Sequence, residues 1–153
     1  MDLTTRVAGA DDVPALAALR RRWNEEHAEA PIEDPHFEDA FARWWAAEHD
    51  SRTFFLAELD GEAVGMANVK HYVRMPVAGG DGGHWGYLGN LFVLPERRND
   101  RIGQRLMEEV QRWALAEGLA HIRLAPSPRA WPFYTRLGYR PGAVAELDPP
   151  FEA

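Results

Sequence analysis

The segment Tyr87-Leu-Gly-Asn-Leu-Phe-Val-Leu-Pro-Glu-Arg-Arg-Asn-Asp-Arg-Ile-Gly-Gln-Arg-Leu106 constrains the chain more than any other. An apolar run passes into a polar, basic turn and then into residues at helical spacing. This predicts a strand, a turn and the start of an amphipathic helix. Such a junction leaves the first N–H groups of the helix without intrahelical acceptors, and the helix dipole adds partial positive charge at the same end. Four arginines crowd the turn, Arg97, Arg98, Arg101 and Arg105, in a chain whose formal net charge is −7. A local reversal of charge at a helix N-terminus points to an anion, and a pyrophosphate fits. A Walker-type loop is excluded, because no Gly-Lys-Ser/Thr occurs.

The 153 residues suit one domain, 1–153, with a sizeable core. The acidic balance argues against general nucleic-acid affinity, which needs a basic footprint. Cysteine is absent, which excludes disulfides, thiolate metal sites and a cysteine nucleophile, and fits a reducing cytoplasm. No apolar run approaches the roughly 20 residues of a membrane span, and the N-terminal residues lack a signal peptide's apolar core. A cytoplasmic protein without membrane partners or bound metal is expected.

Read in order, Leu3 to Val7 is a short opening strand. Asp11 and Asp12 offer a cap and Pro14 falls in the first turn of a helix. Val13, Leu16, Leu19 and Trp23 carry that helix to about Glu26. His27 to Asp34 reads as a loop. Asp34-Pro35 starts a second helix, with Phe37, Phe41, Trp44 and Trp45 on one face, ending near His49. Its aromatic stripe is read as core packing, with Trp44 or Trp45 also open to an acceptor pocket or a dimer contact. Strand-like runs flank Asp60-Gly61, a strong hairpin signal. Arg74 to Gly83, with Pro76 and four glycines, reads as a loop between strands. His84 to Val93 is the next strand. Its apolar Leu91, Phe92 and Val93 suit burial on both faces. Ile102, Leu106, Val110, Trp113 and Ala114 mark the core face of the following helix, which Gly118 ends. A short strand over His121–Leu124, a short helix over Ala130–Leu137 and a last strand over Ala143–Leu147 complete the order β-α-α-β-β-β-α-β-α-β. Hairpin links make the early strands antiparallel. The helical crossover makes strands four and five parallel.

These residues resemble the GNAT superfamily of N-acetyltransferases. Leu91-Phe-Val-Leu-Pro-Glu-Arg-Arg-Asn-Asp-Arg-Ile-Gly-Gln is similar to the superfamily's cofactor motif, an apolar strand ending in Val-x-Pro followed by Gln or Arg-x-x-Gly-x-Gly or Ala, with Arg98, Arg101 and Gly103 at its key positions. Phe133-Tyr-Thr-Arg-Leu-Gly-Tyr139 is similar to its second signature. Arg101 stands where the motif has its first glycine, and Ser127 where the superfamily often has asparagine. The resemblance implies an α/β (α+β) fold, with a central mixed, mostly antiparallel sheet of about six to seven strands, helices on both faces, and strands four and five splayed apart.

It also implies acetyl-CoA as cosubstrate, without metal. Leu91, Phe92 and Val93 would line the pantetheine arm, with backbone groups of Phe92 and Val93 pairing to it. Arg98, Asn99, Asp100, Arg101, Ile102, Gly103 and Gln104 would hold the pyrophosphate, and Ser127 would reach a pantetheine amide. Tyr134 would protonate the departing thiolate as general acid, by direct transfer in a ternary complex. The general base stays open among His84, His71 and water relayed through Asn90 or Tyr87. The acceptor, a small-molecule or peptide amine, is expected between the first two helices and the Gly-rich loop, near Glu25, Glu26, Glu29, Glu33, Asp34, Glu38 and Asp39, an acidic rim suited to a cationic amine. A homodimer is a family-level expectation. Alternatives are a degenerate domain that binds acyl-CoA without turnover and a cofactor-free interaction module.

Overall fold

The computed structural model describes residues 2–150. Side-chain alternation along the strands decides how the layers form. The strands are β1 (Leu3–Val7), β2 (Arg52–Leu59), β3 (Glu62–Val73), β4 (His84–Val93) and β5 (Ile122–Arg123), and the helices α1 (Val13–Ala28), α2 (Phe37–Glu48), α3 (Ile102–Glu117) and α4 (Trp131–Arg136). Phe54 and Leu56 of β2 pack with Leu16, Leu19 and Phe41 of α1 and α2. Their neighbours Phe55, Ala57 and Leu59 pack with Ile102, Leu106 and Val110 of α3. A strand buried on both faces reads as a continuous apolar run, and β2 is one.

The sheet order is β1-β2-β3-β4-β5, antiparallel except for the parallel β4–β5 pair. Asp60 and Gly61, which join β2 to β3, have φ of 51° and 84°. A type I′ hairpin needs positive φ at both central residues, so the Asp-Gly signal is read correctly. α3 closes on Gly118, left-handed at φ 70°, as its position predicts. β1 is tied down by Arg6, whose guanidinium forks onto Asp12 with both contacts at 2.8 Å and also reaches Glu58 at 3.1 Å.

The strand count differs from expectation. Five strands form among the described residues, and the stretch Ala143–Leu147 is irregular and exposed. Pro141 and Gly142 precede it, and β5 pairs over Ile122 and Arg123 alone, so there is little sheet edge for a further strand to join. The short β5 has a second consequence. β4 is paired to it at Gly86 and Tyr87 and then runs on to Val93 with no strand paired to that edge among the described residues. The edge of β4 nearest the C-terminal end of the strand is therefore open, and a cleft follows it.

Candidate active site

One irregularity sets the cleft's chemistry. Met66 of β3 faces Phe92 while Asn68 faces Gly89, so β4 carries one extra residue between them. The bulge lies at Asn90, which is left-handed at φ 57°. Before it, the Gly86 N–H donates to His121 on the β5 side. After it, the Leu94 N–H donates to Val64 on the β3 side. By strand alternation the backbone groups of Leu91 and Val93 thus face the cleft, and those of Phe92 face β3. Phe92 contributes its buried ring instead. The bulge is braced by Asn68, 7% exposed, whose Nδ2 donates to the Gly89 carbonyl at 2.8 Å while its Oδ1 accepts from Arg52 at 3.0 Å.

The basic turn follows. Asn99 and Arg101 both have positive φ, 76° and 60°, and α3 begins at Ile102. Among the described residues none of the backbone N–H groups from Asn99 to Gln104 has an acceptor. An unpaired row of donors at a helix N-terminus, with left-handed residues interleaved, forms an anion nest. Asn99, Arg101, Ile102, Gly103 and Gln104 line a cavity of about 600 Å³ there, with Leu91, Phe92 and Val93. Asp100 does not line it. Ile102 is only 2% exposed, so it offers its N–H and not its side chain. A Cβ on Gly103 would meet Phe133 at 3.6 Å, an ordinary contact, so packing does not demand glycine there.

The arginines divide. Arg98 forks onto Glu26 of α1 at 2.6 and 2.7 Å and its Nε donates to the Val93 carbonyl at 3.3 Å. It holds the Glu26 carboxyl below the usual carboxylate range and pins the turn to α1. Arg97, Arg98 and Arg101 all line the cavity, joined by Arg129 and Arg136 near α4, which sequence reasoning missed. Arg105 lies outside the lining, 3.9 Å from Glu108.

Tyr134 sits at the junction. It lines this cavity and a second one of about 830 Å³ that opens on the other side of the bulge. Ser127, Leu91, Ala130, Trp23 and His27 are shared in the same way. Tyr134 is only 7% exposed, and burial, reinforced by the neighbouring Tyr139, pushes its hydroxyl up to about 12. Its ring is wedged edge-on between Phe133 and Tyr139. Its hydroxyl has no hydrogen-bond partner among the described residues.

The second cavity is walled by Phe41, Trp44 and Phe54, by Arg20 and Arg52, and by the bulge residues Gly89 and Asn90. Asn90 brings a buried Oδ1 with no partner. The stripe on α2 therefore both packs and lines: Phe41 joins the core, while Trp44 turns edge-on to Phe54 at the cavity wall. The acidic rim expected here is absent. None of Glu25, Glu26, Glu29, Glu33, Asp34, Glu38 or Asp39 lines this cavity. Glu38 is spent on Arg21, Glu26 on Arg98, and Glu25 on the Ile32 N–H. The two histidines named as bases are also elsewhere. His84 Nε2 meets the Glu117 carbonyl at the end of α3. His71 lies against Trp113 of α3 and Thr53. The imidazole that does line both cavities is His27, whose Nδ1 is 3.0 Å from the Trp23 carbonyl. Its place on α1, far from β4 in sequence, gave no signal. Among the described residues no cluster of His, Asp and Glu is suited to a metal ion, and no helix is long and apolar enough to cross a membrane.

Comparison with known proteins identifies the family. The model of the acetyltransferase (GNAT) family matches residues 16–139, and the chain belongs to that family. An uncharacterized N-acetyltransferase of Archaeoglobus fulgidus is 36% identical over 76 residues, so the match spans 46% of this chain and 46% of that relative. Among solved structures, a predicted acetyltransferase of Clostridium acetobutylicum with acetyl-CoA superposes with a TM-score of 0.77 at 19% identity, covering 96% of each chain. AAC(6′)-Iy in complex with the bisubstrate analogue CoA-S-monomethyl-acetylneamine superposes at 0.74 with 22% identity, covering 97% of this chain and 98% of that one.

Proposed function

We propose that the chain transfers the acetyl group of acetyl-CoA to the amine of a small molecule or peptide, directly, in a ternary complex. The observation that carries this is the meeting of two cavities at Tyr134 across the β4 bulge. One has the donors a pyrophosphate and an amide-bearing arm need; the other is shaped for a second substrate. That neighbours of the same fold were solved with acetyl-CoA, and with an analogue joining CoA to an amine, supports the pairing.

The donor set fits the cosubstrate. The N–H row from Asn99 to Gln104 suits the pyrophosphate, with Arg101 adding a forked donor. The open edge of β4 at Leu91 and Val93 takes the pantetheine amides like an added strand, and Ser127 contributes its hydroxyl. Acetyl-CoA supplies the activated acyl group as a thioester. The chain's own groups do the rest. The Leu91 N–H, turned outward by the bulge, donates to the carbonyl oxygen where negative charge develops. Asn90 Oδ1 accepts an N–H of the incoming amine and orients its lone pair. The N–C bond forms and the C–S bond breaks, with Tyr134 hydrogen-bonded to the departing sulfur.

A phenol near 12 is a weaker acid than a thiol near ~8.5, so full proton transfer to sulfur would be uphill. Tyr134 instead stays protonated at any working pH and stabilises the thiolate by donation. Proton removal from the amine falls to His27 or to water at the rim. With Nδ1 donating to the Trp23 carbonyl, His27 keeps Nε2 as an acceptor.

The lack of a carboxylate on the wall of the second cavity, among the described residues, favours a second reading: acyl-CoA binding without turnover. Thermal shift with acetyl-CoA and CoA tests binding, and no shift at high ligand concentration sinks both readings. Thiol release across a panel of amines then separates enzyme from sensor, and His27→Gln separates the imidazole from water as base.

A further inference from the structure

We propose that the amine acceptor is itself an anion, a primary amine bearing a carboxylate, and that Arg20 binds that carboxylate. The inference rests on the acetyltransferase reading of the two cavities and names the substrate class of the second.

The wall of that cavity is cationic. Arg20 and Arg52 line it, and no Asp or Glu does. Arg52 is already satisfied, donating to Glu48 at 3.0 Å and to Asn68 at 3.0 Å. Arg20 is different. Its guanidinium lies 4.1 Å over the centroid of the Trp23 ring, and among the described residues it makes no hydrogen bond or ion pair. The neighbouring Arg21 and Arg22 show the contrast, each holding a glutamate at 2.8 and 3.0 Å. Burial alone acts on Arg20, pulling its pKa down with no anion to offset it.

A partly desolvated guanidinium without an acceptor is costly, and a stacked one is fixed in plane with its N–H fork free. An anion delivered into the cavity offsets that cost. Trp23, on which Arg20 rests, also lines the cosubstrate cavity, so the bound carboxylate is held on the same wall that leads to Tyr134. Asn90 Oδ1, at the bulge, is the waiting acceptor for the amine. Phe41, Trp44 and Phe54 offer an apolar surface for the body between the two groups. The volume of about 830 Å³ is that of a small-molecule site.

The test uses matched amines: L-phenylalanine, L-phenylalaninamide and 2-phenylethylamine, with Phe-Gly-Gly to separate a free amino acid from a peptide whose carboxylate lies farther from its amine. Each is assayed for thiol release with acetyl-CoA, and for binding by calorimetry to the protein saturated with CoA, which needs no turnover. The carboxylate-bearing amines should exceed the amide and the decarboxylated amine by about 10-fold or more in kcat/KM and in affinity. Arg20→Gln should erase that preference, Arg20→Lys should keep part of it, and CoA affinity should be unchanged in both. No preference in the wild type, a preference that survives Arg20→Gln, or no binding of any member to the CoA complex overturns the proposal. If the protein fails to bind CoA but takes the carboxylates in an Arg20-dependent way, the anion site stands and the acetyltransferase reading falls.

Discussion

Arg101 offers a separation of backbone from side chain that few residues allow. It caps α3 in the left-handed region, at φ 60° and ψ 17°. A residue with a Cβ pays roughly 1–2 kcal/mol there, and glycine pays nothing. Glycine loses more freedom on folding, worth about 0.4–1 kcal/mol in the other direction. The balance favours Arg101→Gly over Arg101→Ala by about 0.5–1 kcal/mol, or roughly 1–4 °C in melting temperature for a domain of this size. Arg101→Ala keeps the strain and removes only the guanidinium. Both variants should weaken CoA by about 10-fold, the cost of one charge-assisted phosphate contact, and both should flatten the salt dependence of binding. Neither alters the backbone N–H. Differential scanning fluorimetry without ligand and calorimetry with CoA at two salt concentrations give the two readings separately. A glycine variant no more stable than the alanine variant would refute the strain assignment. Unchanged CoA affinity in both would refute the guanidinium contact.

Tyr134→Phe should lower kcat by about 10-fold or more while CoA binds within a factor of about three, because the hydroxyl acts on the leaving sulfur; equal turnover in single-turnover assays removes that role. Asn68→Ala leaves the Gly89 carbonyl and an Arg52 N–H without partners and should cost about 2 kcal/mol in urea unfolding, with kcat falling more than CoA affinity as the bulge loosens. A variant that unfolds normally would show that the bulge needs no brace. Asp12, held down to about 2 by the forked Arg6 and by the Gly9 N–H, is depressed relative to its unfolded value of 3.8. Its contribution is complete above about pH 4 and is lost as pH falls through about 2. With Arg6 44% exposed, screening leaves about 1 kcal/mol, so Asp12→Asn should destabilise by that amount at pH 7 and by almost nothing near pH 2, as read from urea melts at both pH values.

What could be read from the sequence was local. The Asp60-Gly61 hairpin, the face of α3, its Gly118 stop and the basic turn are each decided within a few residues, and they order the strands. What could not be read depends on pairs far apart in the chain. Glu26 and Arg98 are 72 residues apart, and until they meet Arg98 looks like a free phosphate ligand. The acidic residues of α1 and α2 looked like a substrate rim because their density was visible and their partners were not. Arg20 sits in the run Arg20-Arg21-Arg22, and nothing in that run says that two find glutamates and one does not. The last strand failed for a related reason: Ala143–Leu147 has strand-like residues, but a strand needs an edge, and β5 is too short to offer much of one.

The bulge at Asn90 ties these parts into one device. Leu88 and Phe92 stand four residues apart, an even number, and in an unbroken strand both side chains would fall on one face. Here Leu88 packs into the core under α3 and Phe92 into the core under α1 and α2. The extra residue has turned the strand over. The same half-turn moves the cleft-facing backbone groups onto Leu91 and Val93, beside the open edge that short β5 leaves. A regular β4 would have spent its side chains on one core and left Leu91 facing β3. The chain thus fills both cores and frees a row of donors with a single left-handed asparagine, which lines the acceptor cavity and whose buried Oδ1 has no partner. Deleting Asn90 should therefore spare the cores: Leu88 and Phe92 become three positions apart in a regular strand, Phe92 stays opposite Met66, and folding in urea should survive while acyl transfer falls with the loss of the Asn90 acceptor.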